Sequence, residues 1–134
     1  VPGYLVASSV IAVLAQRLVR LVCTRCKQAY TPPESVLADA GIAPEALKGA
    51  TFTKGKGCNY CQKKGYRGRV GIYELMYITP KVRELIFSNA SAQEIRTVAI
   101  AQGMRTLYTD GMRKAMKGVT TIEEVVRVTS AQAD

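Results

Sequence analysis

The first part of the chain is a nearly uninterrupted apolar segment. Residues 1–16 carry no charged side chain, and residues 4–15 are mostly apolar. The segment is shorter than the ~18–20 residues that span a bilayer, and no basic segment precedes it. We therefore predict a buried helix over residues 4–21, with Arg17 and Arg20 in its last turns. A helix that is apolar on all sides needs neighbours to cover it, so we expect the chain to be part of a longer protein.

The glycine-rich residues 49–69 predict loops and short strands around Cys58 and Cys61. Alternation of residue types predicts a further strand over residues 70–76. One face of this strand would carry Val70, Ile72, Glu74 and Met76, and the opposite face would carry Tyr73 and Leu75. This two-residue period is typical of a half-buried strand.

Local start and stop signals predict short helices on both sides of that strand. Before it, Thr31 followed by Pro32, Pro33 and Glu34 has the pattern of a helix start with Thr31 as the N-cap, and Gly41 ends the helix. One further turn is predicted over residues 44–48. After the strand, helices are predicted to start at Thr79-Pro80, at Ser91 with Glu94, at Leu107, and at Thr121 with Glu124. The whole pattern predicts an α+β fold that is mostly α-helical, with a short strand segment.

Two C-x-x-C pairs are the sharpest chemical feature of the sequence. Cys23 and Cys26 form the first pair, Cys58 and Cys61 form the second, and 31 residues separate the pairs. Two such turns can supply the four thiolates of a closed tetrahedral site, which suits structural Zn²⁺ and leaves no position for a substrate. The gap exceeds that of a common zinc ribbon, so we expect an insert that contains the helices of residues 32–49.

Other roles for the cysteines remain open from spacing alone. Two disulfides within the pairs would each close a very small loop and stabilise little. A thioredoxin-like redox pair lacks a fitting βαβ context here. Iron is a minor alternative to zinc, because four thiolates also bind iron.

Glycines near the second pair are expected to shape the same site. Gly55 and Gly57 precede Cys58, and Gly65 follows Cys61. Glycine adopts positive φ without a steric cost, so we expect these three residues to let the backbone turn around the sulfurs.

Positive charge is concentrated in the first half of the chain. The whole chain has 19 Lys and Arg against 10 Asp and Glu, a formal net charge of +9. An acid-free run carries Lys54, Lys56, Lys63, Lys64, Arg67 and Arg69, interleaved with Tyr60 and Tyr66. This run is either a solvated face or a partner-binding face for an anionic membrane or an acidic protein, with nucleic acid the least favoured partner.

Several classes of enzyme are excluded by residues that the chain lacks. There is no His, which excludes Ser–His and Cys–His catalysis and any His metal ligand. No segment matches the phosphate-binding pattern G-x-x-x-x-G-K-[ST]. Asp110 and Glu74 are expected to serve as capping or ion-pair residues. We therefore expect no catalytic activity from this chain alone.

Three stretches together resemble one known family. They are residues 4–20 (YLVASSVIAVLAQRLVR), residues 55–75 (GKGCNYCQKKGYRGRVGIYEL) and residues 103–129 (GMRTLYTDGMRKAMKGVTTIEEVVRVT). They resemble the C-terminal part of the type II secretion and type IV pilus-assembly ATPases, the family of general secretion pathway protein E and pilus-assembly protein B.

The resemblance implies a non-catalytic portion of a hexameric motor. Members are cytoplasmic ATPases, peripheral at the inner membrane, where ATP hydrolysis drives pseudopilus or pilus assembly on a platform of membrane proteins. Their RecA-like core, which binds ATP and Mg²⁺, would lie upstream. Residues 1–22 would be the last core helix, residues 23–69 the tetracysteine metal-binding subdomain, and residues 70–134 a returning strand and the C-terminal helical subdomain. The four cysteines match the family's ligand positions, and pilus-retraction relatives lack this insert.

The implied partners are the rest of the ATPase, neighbouring subunits and the platform proteins, with anionic lipid as a further candidate. Two competing interpretations stay open. One is a freestanding zinc-ribbon module that binds nucleic acid, and the other is a zinc-dependent chaperone-like domain. The second is weak, because chaperone zinc domains repeat a C-x-x-C-x-G-x-G pattern that this chain does not follow.

Overall fold

The computed structural model describes residues 10–42 and 49–130, which form a mixed α/β structure. The strands are β1 (Ala12–Val22), β2 (Lys27–Ala29), β3 (Thr53–Gly55) and β4 (Tyr66–Tyr77). The helices are α1 (Glu34–Ala40), α2 (Pro80–Phe87), α3 (Ala92–Ala101), α4 (Leu107–Met116) and α5 (Ile122–Thr129). The predicted mixture of helices and strands is confirmed, but the strands are more extensive than the predicted short strand segment, since β1 and β4 have 11 and 12 residues.

Strand β1 stands where the sequence predicts the N-terminal helix. The helix prediction is wrong for the part of residues 4–21 that belongs to β1, and residues 4–9 lie outside the described residues. An apolar run has no period that separates a buried helix from a buried strand. The β-branched residues Val13, Val19 and Val22 suit a strand that pairs with β4. Arg17 and Arg20 therefore lie on a strand and not in the last turns of a helix.

The larger sheet consists of β1 and β4. The backbone N–H of Cys23 donates to the carbonyl of Gly65 at 2.9 Å, and that of Ile78 donates to Ile11 at 2.9 Å. Because these bonds join opposite ends of the two strands, β1 and β4 run antiparallel. β4 contains the strand predicted over residues 70–76 and extends beyond it. The predicted faces are confirmed, since Ile72 is fully buried and Tyr73 is exposed.

The helix starts after the strand are confirmed by their caps. The hydroxyls of Thr79, Ser91 and Thr121 accept hydrogen bonds from the N–H groups of Val82, Glu94 and Glu124, respectively. These caps satisfy N–H groups that the helix itself leaves unpaired.

Helix α1 begins later than the sequence predicts. Its N-cap is Pro33, with no side-chain cap, so the prediction of Thr31 as N-cap is wrong. Pro33 has an extended backbone with ψ of 153°, so the helix starts only after it. Proline also disfavours a helical conformation in the residue before it, which opposes a start at Thr31 or Pro32. Gly41 ends the helix with φ of 71°, as predicted. The turn predicted over residues 44–48 lies outside the described residues.

The chain divides into two compact units. The described residues up to Gln16 and the segment Tyr73–Thr106 form one, which we call the α2–α3 unit. The described residues of Arg17–Ile72 and those from Leu107 onward form the other, which we call the cysteine unit. The predicted division at residues 22/23 and 69/70 refers to the longer protein and stays a prediction.

The α2–α3 unit has a small core of its own. Ile78, Val82 and Ala99 are buried there. On the same unit, the guanidinium of Arg96 donates two hydrogen bonds to the carboxylate of Glu74, at 3.0 and 3.1 Å. The prediction that Glu74 is an ion-pair residue is therefore confirmed.

Helices α4 and α5 supply the core of the cysteine unit. Met112 and Ala115 of α4 and Ile122 and Val125 of α5 are buried together with Ala40 of α1. Asp110 forms an ion pair with Lys114 on the surface of α4, at 3.1 Å, as predicted. The segment that carries the cysteines is thus packed on the last two helices rather than folded apart from them.

The last residue of α4 and the segment between α4 and α5 are also hydrogen-bonded to the cysteine-carrying part. The N–H of Val22 donates to the carbonyl of Val119 at 3.0 Å, and the N–H of Thr51 donates to the carbonyl of Met116 at 2.7 Å. The buried hydroxyl of Thr53 donates to the carbonyl of Gly118 at 2.8 Å. These bonds tie the end of β1 and the start of β3 to the same short segment.

A buried carboxylate, Glu124 of α5, is bonded to two arginines. Its side chain is 1 % exposed. It accepts hydrogen bonds from the backbone N–H of Arg20 at 2.8 Å and from both the Arg20 and Arg127 guanidinium groups. The guanidinium of Arg20 also lies over the ring of Tyr66, 4.2 Å from its centroid. Burial alone would raise the pKa of Glu124, but the two guanidinium groups and the backbone N–H outweigh burial and lower it to about 2.

No described helix combines the length and the apolar character needed to cross a bilayer.

Replacing Glu124 tests how much this ion pair stabilises the unit. We expect Glu124→Gln to lower the free energy of unfolding by about 1–2 kcal/mol, because it removes the charge that accepts hydrogen bonds from two partly exposed arginines. Chemical denaturation measures the change. The matched control is Glu123→Gln at the exposed neighbouring position, which should change stability by less than about 0.5 kcal/mol. Equal effects of the two variants would contradict the assigned role of Glu124.

The same pair predicts a pH dependence. The pKa of the Glu124 carboxyl is lowered on folding. The stabilisation that its ion pairs provide is therefore fully present above about pH 4.5 and is lost as the pH falls towards about 2. The stability difference between the wild-type chain and Glu124→Gln should therefore shrink over that range and stay constant between pH 6 and 8. A difference that does not change below pH 4.5 would contradict this assignment.

Candidate metal centre

Two short strands bring the cysteine pairs together. Cys23 and Cys26 lie in the turn between β1 and β2, and Cys58 and Cys61 lie in the turns between β3 and β4. β2 and β3 are antiparallel, with Lys27 opposite Gly55. Because Lys27 follows Cys26 directly and Gly55 comes just before the second pair, this register places both cysteine turns at the same end of the small sheet. The 31 intervening residues include α1, as predicted.

The four sulfur atoms form one cluster. All four lie within 4.8 Å of one another. The Sγ–Sγ distance is 3.7 Å for Cys23–Cys58, 3.8 Å for Cys26–Cys61 and 3.7 Å for Cys58–Cys61. A disulfide would need about 2.05 Å, so the thiols are free and the disulfide alternative is not the arrangement seen here.

The cluster fits a tetrahedral zinc ion. A tetrahedron with Zn–S bonds of about 2.3 Å has sulfur–sulfur edges of about 3.8 Å. The three short sulfur–sulfur distances agree with that value. Cys23 and Cys61 are buried, and Cys26 and Cys58 are partly buried. An all-sulfur, largely enclosed donor set of this kind is typical of structural zinc.

Backbone N–H groups point at three of the sulfurs, and those of Arg25 and Cys26 point at Cys23. Gly57 donates to Cys26 Sγ at 3.2 Å, while Cys58 and Gly65 donate to Cys61 Sγ at 3.3 and 3.2 Å. Such donors stabilise the negative charge of a thiolate, which is the form that binds a metal. The turns therefore provide both the ligands and part of their charge compensation.

Ionisation differs between the thiols. For Cys61, burial opposes ionisation, but the N–H groups of Cys58 and Gly65 outweigh it and lower the pKa to about 6. For Cys26, burial and the neighbouring sulfurs raise the pKa to about 11, and the N–H of Gly57 offsets this only in part. The pKa of Cys23 is lowered because N–H donors outweigh its burial.

Gly55 and Gly65 lie unusually close together. A Cβ atom on Gly55 would be 2.1 Å from the carbonyl oxygen of Gly65, closer than atoms can approach. Positive φ occurs at Gly57 (97°) and Gly65 (79°), which confirms the prediction for these two. Gly55 does not have positive φ, so that part is wrong. Glycine is needed at position 55 because the backbones of Gly55 and Gly65 touch. The identity of residue 55 alone does not reveal this contact.

The predicted basic residues are all at the surface. Exposed side chains are Lys54, Lys56, Lys63, Lys64, Arg67 and Arg69. The structure adds Arg25, which shares the ring of Tyr60 with Arg67, and Lys27, which lies opposite Gly55. We call these eight residues the basic surface. No acidic residue occurs in residues 23–31 or 49–69. The sequence separates Arg25 and Lys27 from the other six by about 30 residues, so only the pairing of β2 with β3 reveals them.

Comparison with known proteins places the chain in a family. The family described as "Type II/IV secretion system protein" matches residues 1–127. The "Type IV pilus assembly ATPase PilB" of Thermus thermophilus is 41 % identical over 121 residues, which cover 90 % of this chain and 14 % of that protein. The "Type II secretion system protein E" of Pseudomonas aeruginosa is 44 % identical over 126 residues, covering 94 % of this chain and 24 % of that protein. The PilB of Myxococcus xanthus is 44 % identical over 124 residues, 92 % of this chain and 22 % of that protein.

The chain therefore belongs to the type II/IV secretion system protein family. The resemblance predicted from residues 4–20, 55–75 and 103–129 is confirmed. The chain spans less than a quarter of the length of these three relatives.

Enlarging Gly55 tests the close approach of the two backbones. Gly55→Ala should destabilise the cysteine unit by roughly 1–3 kcal/mol, because the added methyl group forces Gly65 away. Zinc content should fall with it, since the two turns separate. Thermal denaturation and elemental analysis measure both effects. The matched control is Lys56→Ala at the exposed next position, and a Gly55→Ala chain as stable as this control would contradict the account.

Proposed function

We propose that this chain is a non-catalytic, C-terminal portion of a hexameric motor ATPase for secretion or pilus extension, stabilised by one structural Zn²⁺. In this proposal the longer protein binds ATP and Mg²⁺ in its RecA-like core and hydrolyses ATP to drive assembly of a pseudopilus or pilus. This portion would contribute a scaffold that the metal ion stabilises and surfaces that contact other parts of the motor. It is expected to be inactive alone.

The arrangement of the four sulfurs carries the zinc part of the proposal. Cys23, Cys26, Cys58 and Cys61 would hold the ion, and the ion would supply a covalent cross-link between the two turns. An all-thiolate site has no free position for substrate or water, so a catalytic role for the metal is not supported. Iron in the same site is an outcome that elemental analysis distinguishes.

The exposed apolar residues support contact with the rest of the ATPase. Within the α2–α3 unit, Ile11 is 80 % exposed and Tyr77 is 64 % exposed. Leu14 and Tyr73 add further exposed apolar surface. These residues lie on or directly beside the β1–β4 sheet, in which each described strand has one unpaired edge. A sheet of only two strands is marginally stable in water. We propose that the ATPase core of the same polypeptide covers this surface, because the chain matches at most 24 % of the length of these relatives.

The basic surface supports a location beside the inner membrane. Eight exposed cationic side chains without an acidic neighbour in their segments attract an anionic surface. We propose that this surface faces the inner-membrane platform or anionic lipid, and that the longer protein is cytoplasmic and peripheral at that membrane. The alternative of a freestanding nucleic-acid module is less well supported, since the family match extends over almost the whole chain.

Metal removal tests the structural role. The purified chain should contain one zinc per molecule, and Cys58→Ser should lose it. Chelation should increase hydrogen exchange in residues 23–72 and 107–130, because both segments share one core. Residues 80–101 serve as the internal control, since they belong to the other unit, and their exchange should change little. Unchanged exchange in both units after complete zinc loss would contradict a structural role.

Charge reversal tests the membrane-facing role of the basic surface. The double variant Lys63→Glu with Lys64→Glu should weaken binding to vesicles that contain anionic lipid, measured by sedimentation at low salt. The matched control reverses two exposed basic residues elsewhere, Arg105→Glu with Lys117→Glu, which changes the net charge equally. A loss of binding in the first variant alone supports the proposal. Equal losses indicate a net-charge effect, and no loss in either removes lipid as a partner.

A further inference from the structure

Tyr60 lies against two arginine side chains beside the cysteine cluster. The guanidinium carbon of Arg25 is 4.0 Å from the ring centroid, and that of Arg67 is 4.1 Å from it. Arg67 Nη1 also donates a hydrogen bond to the carbonyl oxygen of Tyr60 at 3.0 Å. At these distances the aromatic ring attracts a guanidinium group. Tyr60 remains 37 % exposed, so burial in a core does not account for its position.

The contact between Arg25 and Tyr60 joins the two cysteine turns. Arg25 is the third residue of the first C-x-x-C turn, directly before Cys26. Tyr60 is the third residue of the second turn, directly before Cys61. The two turns are therefore linked by side chains as well as by the sulfur cluster. Arg67, which follows the second turn, fixes Tyr60 through both its ring and its carbonyl group.

We propose that Arg25, Tyr60 and Arg67 form a latch across the metal centre that slows loss of the metal. The inference rests on the proposed zinc centre. A metal ion leaves a four-thiolate site when one pair of thiolates moves away from it, and this movement carries the two turns apart. The Arg25–Tyr60 contact opposes that separation. These three residues are positioning residues, since none of them is a metal ligand.

The variants are chosen to distinguish the effect of the stacked aromatic ring on zinc release from the effect of positive charge. Arg25 and Arg67 also carry positive charge close to thiolates, which favours the ionised sulfurs regardless of the ring. Tyr60→Leu removes the aromatic ring without changing charge. Tyr60→Phe keeps the ring and removes only the hydroxyl. Lys64→Gln removes an exposed positive charge from the same segment and leaves the ring in place.

The experiment measures the rate at which the whole chain releases zinc to an excess of a chromogenic chelator. Tyr60→Leu should release zinc about fivefold faster than the wild-type chain, as expected for the loss of about 1 kcal/mol of cation–π attraction between Arg25 and the ring. Tyr60→Phe and Lys64→Gln should stay within about twofold of the wild-type rate, because the ring and both stacked arginines remain. Circular dichroism before chelation checks that each variant is folded.

The outcomes separate the latch from the zinc centre itself. A wild-type chain that contains zinc, together with a Tyr60→Leu chain that releases zinc at the wild-type rate, would overturn the latch and leave the zinc centre intact. Equal acceleration in Lys64→Gln and Tyr60→Leu would also overturn it, because charge would then explain the effect. A wild-type chain without any zinc would overturn the proposed function and the latch with it.

Discussion

The contact between the backbones of Gly55 and Gly65 is the constraint on which the cysteine unit depends. Gly65 follows the second cysteine turn, and its carbonyl also accepts the hydrogen bond from the N–H of Cys23 in the first turn. Its own N–H donates to the sulfur of Cys61. One residue thus links β3, both turns and a ligand atom. Only residues without a side chain allow this approach, which is why the four sulfurs can lie around one point.

A buried carboxylate, that of Glu124, fixes the strand β1 of the same unit. Glu124 belongs to α5, and its carboxylate binds the backbone and the side chain of Arg20, which lies three residues before Cys23. The hydroxyl of Thr120 donates to the carbonyl of Arg20 at 2.7 Å. Tyr66, whose hydroxyl is 2.7 Å from that of Thr121, extends the connection to β4. The strand that leads into the first cysteine turn is therefore fixed by the last helix, so the proposed metal binding and the helix packing would reinforce each other.

Features that depend on a few neighbouring residues could be predicted from the sequence. The C-x-x-C turns and the caps at Thr79, Ser91 and Thr121 are of this kind, because each places its bonding atoms within three residues of one another. The faces of β4 followed from simple alternation.

Features that depend on distant partners could not be predicted in this way. β1 is a strand because β4 lies beside it, and its apolar run carries no period of its own. Arg20 and Glu124 are 104 residues apart, and Arg25 reaches Tyr60 only once β2 pairs with β3. The space requirement at Gly55 likewise arises from Gly65 and not from its own conformation.

X-ray absorption at the zinc K-edge of the purified chain tests the central claim most directly. Four cysteines around one ion predict a single shell of four sulfur atoms at about 2.3 Å, with no nitrogen or oxygen ligand. A shell with two sulfurs and light-atom ligands would mean that the two cysteine turns do not share a metal. That result would contradict the proposal that all four cysteines bind one zinc ion.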